Sequence, residues 1–477
     1  MKRIYPLVCL IVLFALPSPA QDASTQLIAS IESRRAEYAD VARQIWGFAE
    51  VGYQEVKSSA LLQSELKKAG FTVEAGVAEI PTAFVASYGS GKPVIVILAE
   101  YDALPGLSQD TVAEPKSLVE RGPGHGCGHH LFGTASVAAA VAVKDWLARS
   151  KTKGTIKLMG TPAEEGGSGK VYMVRAGLFK DADAVLHWHP GDDNEANPTT
   201  TLANITGKFR FYGLASHAAA APERGRSALD GVESMNYMVN MMREHVDSDA
   251  RIHYVITRGG EAPNVVPAFA EVYYYARHQD IGVVRDTWSR IEKAAEGAAM
   301  GTGTRVEREV IGGVYNLLPN ETLATVMHRN LTKVGGVAYT NEEKAFAEQI
   351  RATTGMVKKP LEAAAKIEPF GVPTGAGSGS TDVGDVSWAV PTVGLGTATW
   401  VPGTPAHSWQ AVASGGRSIG TKGMLVAAKT LALTAYDLFR TPATLEKAKK
   451  EFEEKRGADF KYSALLGDRK PALDYRK

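Results

Sequence analysis

The sequence predicts an α/β protein whose main domain holds a doubly wound, mostly parallel sheet. Short apolar segments that end in polar or Gly/Pro turns occur at residues 93–106, 154–167, 182–190 and 390–400. Helical patterns lie between them, most clearly over 136–148. Strands that alternate with helices are typical of a parallel sheet with crossover connections.

A second arrangement of elements occupies residues 201–317. Its segments "ITGKFRFYG", "RIHYVITRGG", "AEVYYYARHQ" and "TRVEREVIGG" have strand character, and helices are predicted over 227–244 and 283–298. The order βαββαβ is that of a ferredoxin-like unit. We therefore predict a smaller domain inserted into a larger one that is formed by residues 21–200 and 318–440.

The two ends of the chain have their own character. Residues 1–20 combine Lys2 and Arg3, a short apolar core and a small-residue end, which indicates a cleaved signal peptide and export to the periplasm or the extracellular space. Uncleaved anchoring is the alternative.

Residues 441–477 begin with a charged amphipathic helix, which is typical of a solvated face, and no chemistry is predicted for them.

The charge and length of the chain indicate which kinds of binding partner and how many domains to expect. The chain of 477 residues carries 53 basic and 52 acidic residues, a balance that disfavours nucleic-acid and anionic-membrane partners. No later apolar run is long enough to cross a membrane, so no membrane contact is expected after signal cleavage. The length indicates two or more domains with ample buried cores.

A cluster of histidines and one cysteine precedes the predicted helix at 136–148. In "GPGHGCGHH", His125, Cys127, His129 and His130 fall within six residues, although the whole chain has only 11 histidines and 2 cysteines. Removal of the signal peptide would also remove Cys9, so Cys127 would have no intrachain disulfide partner. The alternative is a histidine-rich surface loop that binds metal only adventitiously.

Further side chains that could bind a metal follow other predicted strands. Glu164 and Glu165 lie in the turn after one strand, His187 lies in "LHWHP", and His407 opens a loop. Individually these are ordinary features: exposed charges, a core histidine and a loop histidine. Thiolate, imidazole and carboxylate are the ligands that zinc-like ions prefer, and the carboxyl edge of an open α/β sheet is where ligands bind. Together they predict a two-metal site.

A set of ordered motifs carries a resemblance to a known family. The motifs are "GHGCGHH", "TPAEEGGSGKVYMVRAGLF", "AVLHWHP", "ASHAAAAPERGRSALDG", "APNVVPAFAEVYYYAR", "GSTDVGDVSW" and "PAHSW". In that order they resemble the dinuclear metallopeptidase family of aminoacylases, carboxypeptidases and amino-acid amidohydrolases, and most of all its aminobenzoyl-glutamate hydrolase branch. The resemblance covers nearly the whole mature chain.

The resemblance implies a ligand set for two divalent ions, zinc or manganese, made of Cys127, His129, Glu165, His187 and His407. It also implies that Glu164 is the general base. Asp102, His125 and His130 are then expected to contact the ligands from outside. His130 stands where the family usually has aspartate or asparagine, and His189 stands close to His187, so both are departures that bear on the choice of metal.

The resemblance assigns roles to the inserted domain as well. It makes this domain a lid and dimerisation module, in which His217 reaches the active site of a neighbouring protomer and polarises the substrate carbonyl. Asn264 and Arg277 match positions that bind the carboxylate of the substrate. A homodimer is therefore expected, and a second, different subunit is possible.

The expected function is metal-dependent hydrolysis of an amide bond. The substrates would be N-acylated or N-aminobenzoylated amino acids, or small dipeptides, that carry a free carboxylate. Two metal ions can activate a water molecule and polarise the carbonyl, and a carboxylate next to a ligand can accept the proton. The alternative function is that of a non-catalytic metal-binding partner subunit with the same fold.

Overall fold

The computed structural model describes residues 23–355, 359–371, 377 and 379–476. The predicted signal peptide therefore lies outside the described residues. The strands are β1 (Thr72–Ala75), β2 (Phe84–Ser90), β3 (Val94–Ala99), β4 (Gly154–Gly160), β5 (Ala184–Gly191), β6 (Ala203–Tyr212), β7 (Arg251–Arg258), β8 (Phe269–His278), β9 (Arg305–Val314) and β10 (Thr392–Ala398). The α-helices are α1 (Ala23–Ser33), α2 (Arg35–Phe48), α3 (Val56–Lys68), α4 (His129–Ser150), α5 (Gly169–Arg175), α6 (Ala228–Met242), α7 (Ile281–Thr302), α8 (Glu321–Val334), α9 (Asn341–Thr353), α10 (Val383–Ala389), α11 (Trp409–Gly415), α12 (Ser418–Arg440) and α13 (Pro442–Arg456).

The larger sheet has the strand order β1-β2-β4-β3-β5-β10. Its last four strands are parallel to one another, whereas β1 and β2 join as antiparallel strands. Every residue of β3, "VIVILA", is buried, because helices and loops cover both faces of the sheet. The predicted α/β architecture with a parallel-rich sheet is confirmed.

The smaller sheet has the strand order β7-β8-β6-β9, and all of its pairs are antiparallel. Helices α6 and α7 pack on it and share a separate core that includes Phe209, Tyr274 and Trp288. The elements follow one another as βαββαβ, so the separate antiparallel sheet expected from the sequence is present. We call the unit formed by β6–β9 with α6 and α7 the lid domain.

Helix α4 carries the histidine cluster into the core of the larger domain. It begins at His129, directly after Gly128, whose φ of 77° lies in the left-handed region that favours glycine. Within the described part of the chain it is the one helix long and apolar enough to cross a membrane, and 83% of its apolar window is buried inside the protein. The apolar side chains of α4 are thus buried against α12 and the sheet.

Candidate metal centre

The carboxyl ends of the four parallel strands bring the side chains of the candidate metal centre to one edge of the sheet. Glu100 follows β3, Glu164 follows β4, His189 lies near the end of β5, and His407 comes after β10. Parallel strands end at the same edge, which is why residues that are far apart in sequence meet there.

Three groups of side chains in this region have their ligand atoms within 4.8 Å of one another. The first contains Cys127, His129 and His189, and the second contains Cys127, Glu165 and His407. The Cys127 sulfur lies 3.3 Å from Nε2 of His189, and Nε2 of His407 lies 3.3 Å from Oε1 of Glu165. Since Cys127 belongs to both groups, two ions held by them would be neighbours.

A third group joins Glu100, His129 and Glu164. The distance from Nε2 of His129 to Oε2 of Glu100 is 3.1 Å. Glu164, expected as the base, and Glu165, expected as a ligand, therefore belong to different groups although they are adjacent in sequence.

Asp102 links the histidine and the glutamate of these groups. Its Oδ1 lies 2.9 Å from Nδ1 of His129, and its Oδ2 accepts a hydrogen bond from the backbone N–H of Glu165 at 2.9 Å. The contact at Nδ1 directs Nε2 of His129 towards Cys127 and Glu100. Asp102 thus contacts both His129 and Glu165.

Several buried polar atoms at this site make no hydrogen bond of acceptable geometry within the described ranges. They include Oε2 of Glu100 and Nε2 of His129, which face each other at 3.1 Å, and Oε1 of Glu165, which faces His407 at 3.3 Å. Buried polar atoms are normally paired, and an unpaired cluster calls for an explanation such as an ion. A thiol, imidazoles and carboxylates converge on the same space, so the donor set fits divalent metal ions.

The environment sets the protonation of these groups. Burial raises the pKa of Cys127 and lowers that of His189 to about 4, which keeps His189 in the neutral form that binds metals. Burial disfavours the imidazolium of His129, but the neighbouring acidic groups Cys127, Asp102 and Glu100 outweigh the effect of burial and raise the pKa of His129. A metal ion here has to displace protons from Cys127 and His129, so its affinity rises with pH.

Glu164 has the environment of a strong base. Burial is the largest cause that raises its pKa, and the negative charges of Glu100, Glu165 and Asp382 add to the effect. A carboxyl whose pKa is raised in this way accepts protons more readily than an ordinary glutamate.

The structure differs from the sequence prediction at His187. His189, not His187, joins the candidate metal groups, and the ring of His187 instead lies over Gly394 on the neighbouring strand β10. Burial and the positive charge of Lys170 lower the pKa of His187 to about 3. The two histidines are two residues apart and face the same side of β5, but His189 is nearer the carboxyl end where the other ligands lie.

Three buried charges next to the site were not singled out from the sequence. The Nζ atom of Lys170 lies 2.7 Å from Glu100 and 2.6 Å from Asp382, and all three side chains are almost completely buried. The sequence could have indicated these three residues, because they lie inside the motifs "AEYDALPG", "EEGGSGK" and "GSTDVGD". A lysine enclosed by two carboxylates balances the charge beneath the candidate metal groups.

His125 and His130 are buried beside the site but outside the candidate metal groups. Nε2 of His125 contacts the carbonyl of Ile45, and Nε2 of His130 contacts the carbonyl of Gly415, each at 3.1 Å. Their rings lie 4.9 Å apart. They anchor the loop before α4 and the first turn of α4 to neighbouring segments.

His217 lies on an exposed loop of the lid domain. Its Nδ1 accepts hydrogen bonds from the backbone N–H groups of Ala219 and Ala220, both at 3.1 Å. The proton of a neutral ring must then reside on Nε2, which is the donor that remains. The backbone carbonyl of Asn264, also exposed, accepts a hydrogen bond from Ala218 and joins the two loops.

Arg277 lies near the end of β8, an inner strand of the lid sheet. Its guanidinium is 4.3 Å from the ring centre of Tyr275, and its Nε is buried without a hydrogen-bond partner in the part of the chain that the structure describes. Burial raises the pKa of Tyr275, and the positive charge of the neighbouring Arg277 opposes this rise.

Comparison with known proteins shows which family the chain resembles. Residues 96–413 match the model of Peptidase family M20/M25/M40. The chain is 44% identical over 450 residues to one subunit of the p-aminobenzoyl-glutamate hydrolase of Escherichia coli, covering 89% of this chain and 94% of that protein. It is 30% identical to Xaa-Arg dipeptidase of Mus musculus, covering 92% and 95% of the two chains.

The fold has solved relatives as well. A dinuclear metal binding peptidase from Bacillus subtilis superposes with a TM-score of 0.61 at 17% identity, covering 86% of this chain and 99% of that one. At that identity the likeness concerns the fold alone, which both chains share over nearly their full length. The chain belongs to peptidase family M20/M25/M40, and it is a metal-dependent hydrolase of amide or peptide bonds.

Proposed function

We propose that the protein uses two divalent ions, zinc or manganese, to cleave the amide bond of N-acylated or N-aminobenzoylated amino acids or of small dipeptides. The observation that carries this proposal is the shared position of Cys127. Its sulfur belongs to one group with His129 and His189 and to another with Glu165 and His407. The proposed ligand set therefore contains His189 in place of His187.

The chemistry divides between the ions and the side chains. When bound, divalent ions supply a water molecule of lowered pKa and polarise the carbonyl of the substrate. Glu164 accepts the proton of the attacking water and passes it to the amide nitrogen that leaves. Asp102 holds His129 and the turn of Glu165 in place throughout.

The lid domain supplies the recognition of the substrate in this proposal. The free guanidinium Nε of Arg277 and the amide of Asn264 bind the carboxylate of the substrate, because a guanidinium matches the planar shape of a carboxylate. The Nε2 proton of His217 stabilises the negative charge that develops on the carbonyl oxygen.

His217 is proposed to act across a homodimer. Exposed apolar side chains lie on α6 and on β7, the edge strand of the lid sheet: Tyr237, Met238, Met241, Tyr254, Val255 and Ile256. An edge strand with unpaired backbone groups beside an apolar helix face is suited to pairing with a second copy. Such a pairing would carry the exposed loop of His217 to the partner.

The names of the relatives support the proposed substrate class. p-Aminobenzoyl-glutamate hydrolase and Xaa-Arg dipeptidase act, as their names state, on amides that end in an amino acid. The first of these relatives is one of the two kinds of chain that carry the name of that hydrolase, so the proposed partners include a second, different subunit. We further propose that the mature chain is exported and begins near Gln21, a proposal that N-terminal sequencing tests.

The experiment is a substrate panel with the purified mature protein. Aminobenzoyl-glutamate, N-acetyl amino acids and dipeptides are each tested with zinc, manganese or cobalt, and the Glu164→Gln variant serves as the control. The proposal expects metal-dependent cleavage of at least one class, which the variant lacks. A metal-loaded protein that cleaves none of them, alone or together with a second, different subunit, would instead support a non-catalytic role.

A further inference from the structure

The last described segment of the chain, residues 457–476, crosses from the lid domain to the candidate metal centre. We call it the tail segment. Near its start, the carbonyl of Ser463 accepts hydrogen bonds from Tyr315 and Arg285. Further on, Arg469 donates to the backbone carbonyls of Val310 and Ile311 within the lid strand β9.

The tail segment then docks on the catalytic domain. Tyr172 of α5 donates a hydrogen bond to the carbonyl of Lys470 at 3.3 Å, and Gln54 donates to the carbonyl of Leu473 at 2.8 Å. These contacts lie before the last two described residues, so they keep the segment in place independently of the side chains of Tyr475 and Arg476.

The last two described residues of the tail segment reach the turn at residues 163–168, which carries Glu165. The hydroxyl of Tyr475 and the guanidinium of Arg476 both donate to the backbone carbonyl of Glu165, at 3.1 and 2.8 Å. The ring of Tyr475 packs edge-on against Tyr53, with ring centres 5.6 Å apart. Tyr53 in turn donates to the carbonyl of Gly167 in the same turn, at 2.7 Å.

The turn needs such support because its backbone is strained. Ala163 and Ser168 have φ values of 59° and 58°, which non-glycine residues rarely adopt. Strained conformations persist only where surrounding contacts hold them. The N–H of Glu165 is held by Asp102, and its carbonyl is held by Tyr475 and Arg476.

We propose that the tail segment is a positioning element of the metal centre, and that Tyr475 and Arg476 fix the carboxylate of Glu165 towards Cys127 and His407. This inference rests on the proposed role of Glu165 as a metal ligand. Partners that orient a ligand typically contribute about 10- to 100-fold to metal affinity. The alternative is that the tail segment only covers apolar surface and stabilises the fold.

Four variants separate the two roles. Tyr475→Phe removes one donor but keeps the ring, Arg476→Ala removes the other, and the double variant removes both. Asp474→Asn, at an exposed position of the same segment, is the matched control. For each protein, the affinity for zinc is measured by competition with a chromogenic chelator, and the melting temperature is recorded beside it.

A weakening of zinc binding by about tenfold or more in the double variant is expected, with the melting temperature and the control unchanged. Arg476→Lys should restore part of the affinity, because an ammonium group can donate to the same carbonyl. Gly52→Ala disturbs the same contact from the other side, since a methyl group there would overlap the hydroxyl of Tyr475 and press on Ala163 of the turn, and it should weaken zinc binding in the same direction.

Unchanged zinc affinity in the double variant and in Gly52→Ala would overturn the inference, and so would a loss of affinity that only follows a loss of folding. The proposed function fails in a different way: the unsubstituted protein would bind zinc tightly and cleave no substrate of the panel. In that case the effect of the tail segment on zinc affinity would still be measured.

Discussion

Nδ1 of His129 lies 2.9 Å from Oδ1 of Asp102, and both side chains are completely shielded from solvent. The second oxygen of Asp102 accepts the N–H of Glu165. The carboxylate of Asp102 thus orients the imidazole of His129 in one candidate group and the backbone of Glu165 in another. The positions of the two groups therefore depend on the same side chain.

Replacement of Asp102 by asparagine should weaken metal binding about 10- to 100-fold, the usual effect of losing a partner of a ligand. The amide keeps one acceptor oxygen for His129 but turns its NH2 group towards the N–H of Glu165. Zinc affinity by chelator competition is the measurement. An affinity equal to that of the unsubstituted protein would show that Asp102 only caps a turn.

The two histidines of β5 should behave differently. His189→Ala removes a side chain that lies 3.3 Å from the Cys127 sulfur, so the purified protein should contain less metal. His187→Ala is the matched control, because its ring lies over Gly394 and outside the candidate groups. The metal content of both variants is measured by elemental analysis. Loss of metal in His187→Ala but not in His189→Ala would show that His187 is the ligand.

Glu164→Gln should abolish turnover while both metals stay bound, because a base moves protons without holding an ion. Glu165→Gln should lose metal, since Oε1 of Glu165 faces His407 at 3.3 Å. Metal content and rate are measured side by side. Metal loss in Glu164→Gln with a full complement in Glu165→Gln would exchange the two roles.

His217→Ala should lower kcat by about a hundred- to a thousand-fold, the usual effect of removing one oxyanion donor, without a change in metal content. If the donor acts across a dimer, mixing this variant with Glu164→Gln should restore part of the activity through one intact hybrid site. Mixtures that stay inactive although hybrids form would rule out a role across the interface, and full activity of His217→Ala alone would rule out any catalytic role.

Much of the fold was accessible from local sequence patterns. The segments 93–106, 154–167, 182–190 and 390–400 are recognisable as apolar runs bounded by turns, and their cores are strands β3, β4, β5 and β10. The order βαββαβ of the lid domain likewise follows from periodicity. Cys127, His129, Glu165 and His407 meet because parallel strands share one carboxyl edge.

The parts that sequence reasoning missed depend on contacts between distant residues. His187 and His189 have the same periodicity, so only the three-dimensional position of Cys127 separates them. Tyr475 reaches Glu165 across 310 positions of sequence, and nothing local in a polar, charged segment indicates such a contact. Lys170 is ordinarily an exposed residue type, and its burial becomes intelligible only with Glu100 and Asp382 on either side.

In the proposed mechanism, Cys127 belongs to both groups of residues that would hold two divalent ions, and these ions would supply the activated water for hydrolysis of an amide. The most direct measurement removes all metal with a chelator, adds zinc or manganese back in steps, and follows bound metal and cleavage of the best substrate together. We predict no cleavage without metal and full cleavage when two ions are bound per chain, with Cys127→Ala failing to reach that occupancy. Undiminished cleavage by the metal-free protein, or full metal occupancy and turnover in Cys127→Ala, would contradict this mechanism.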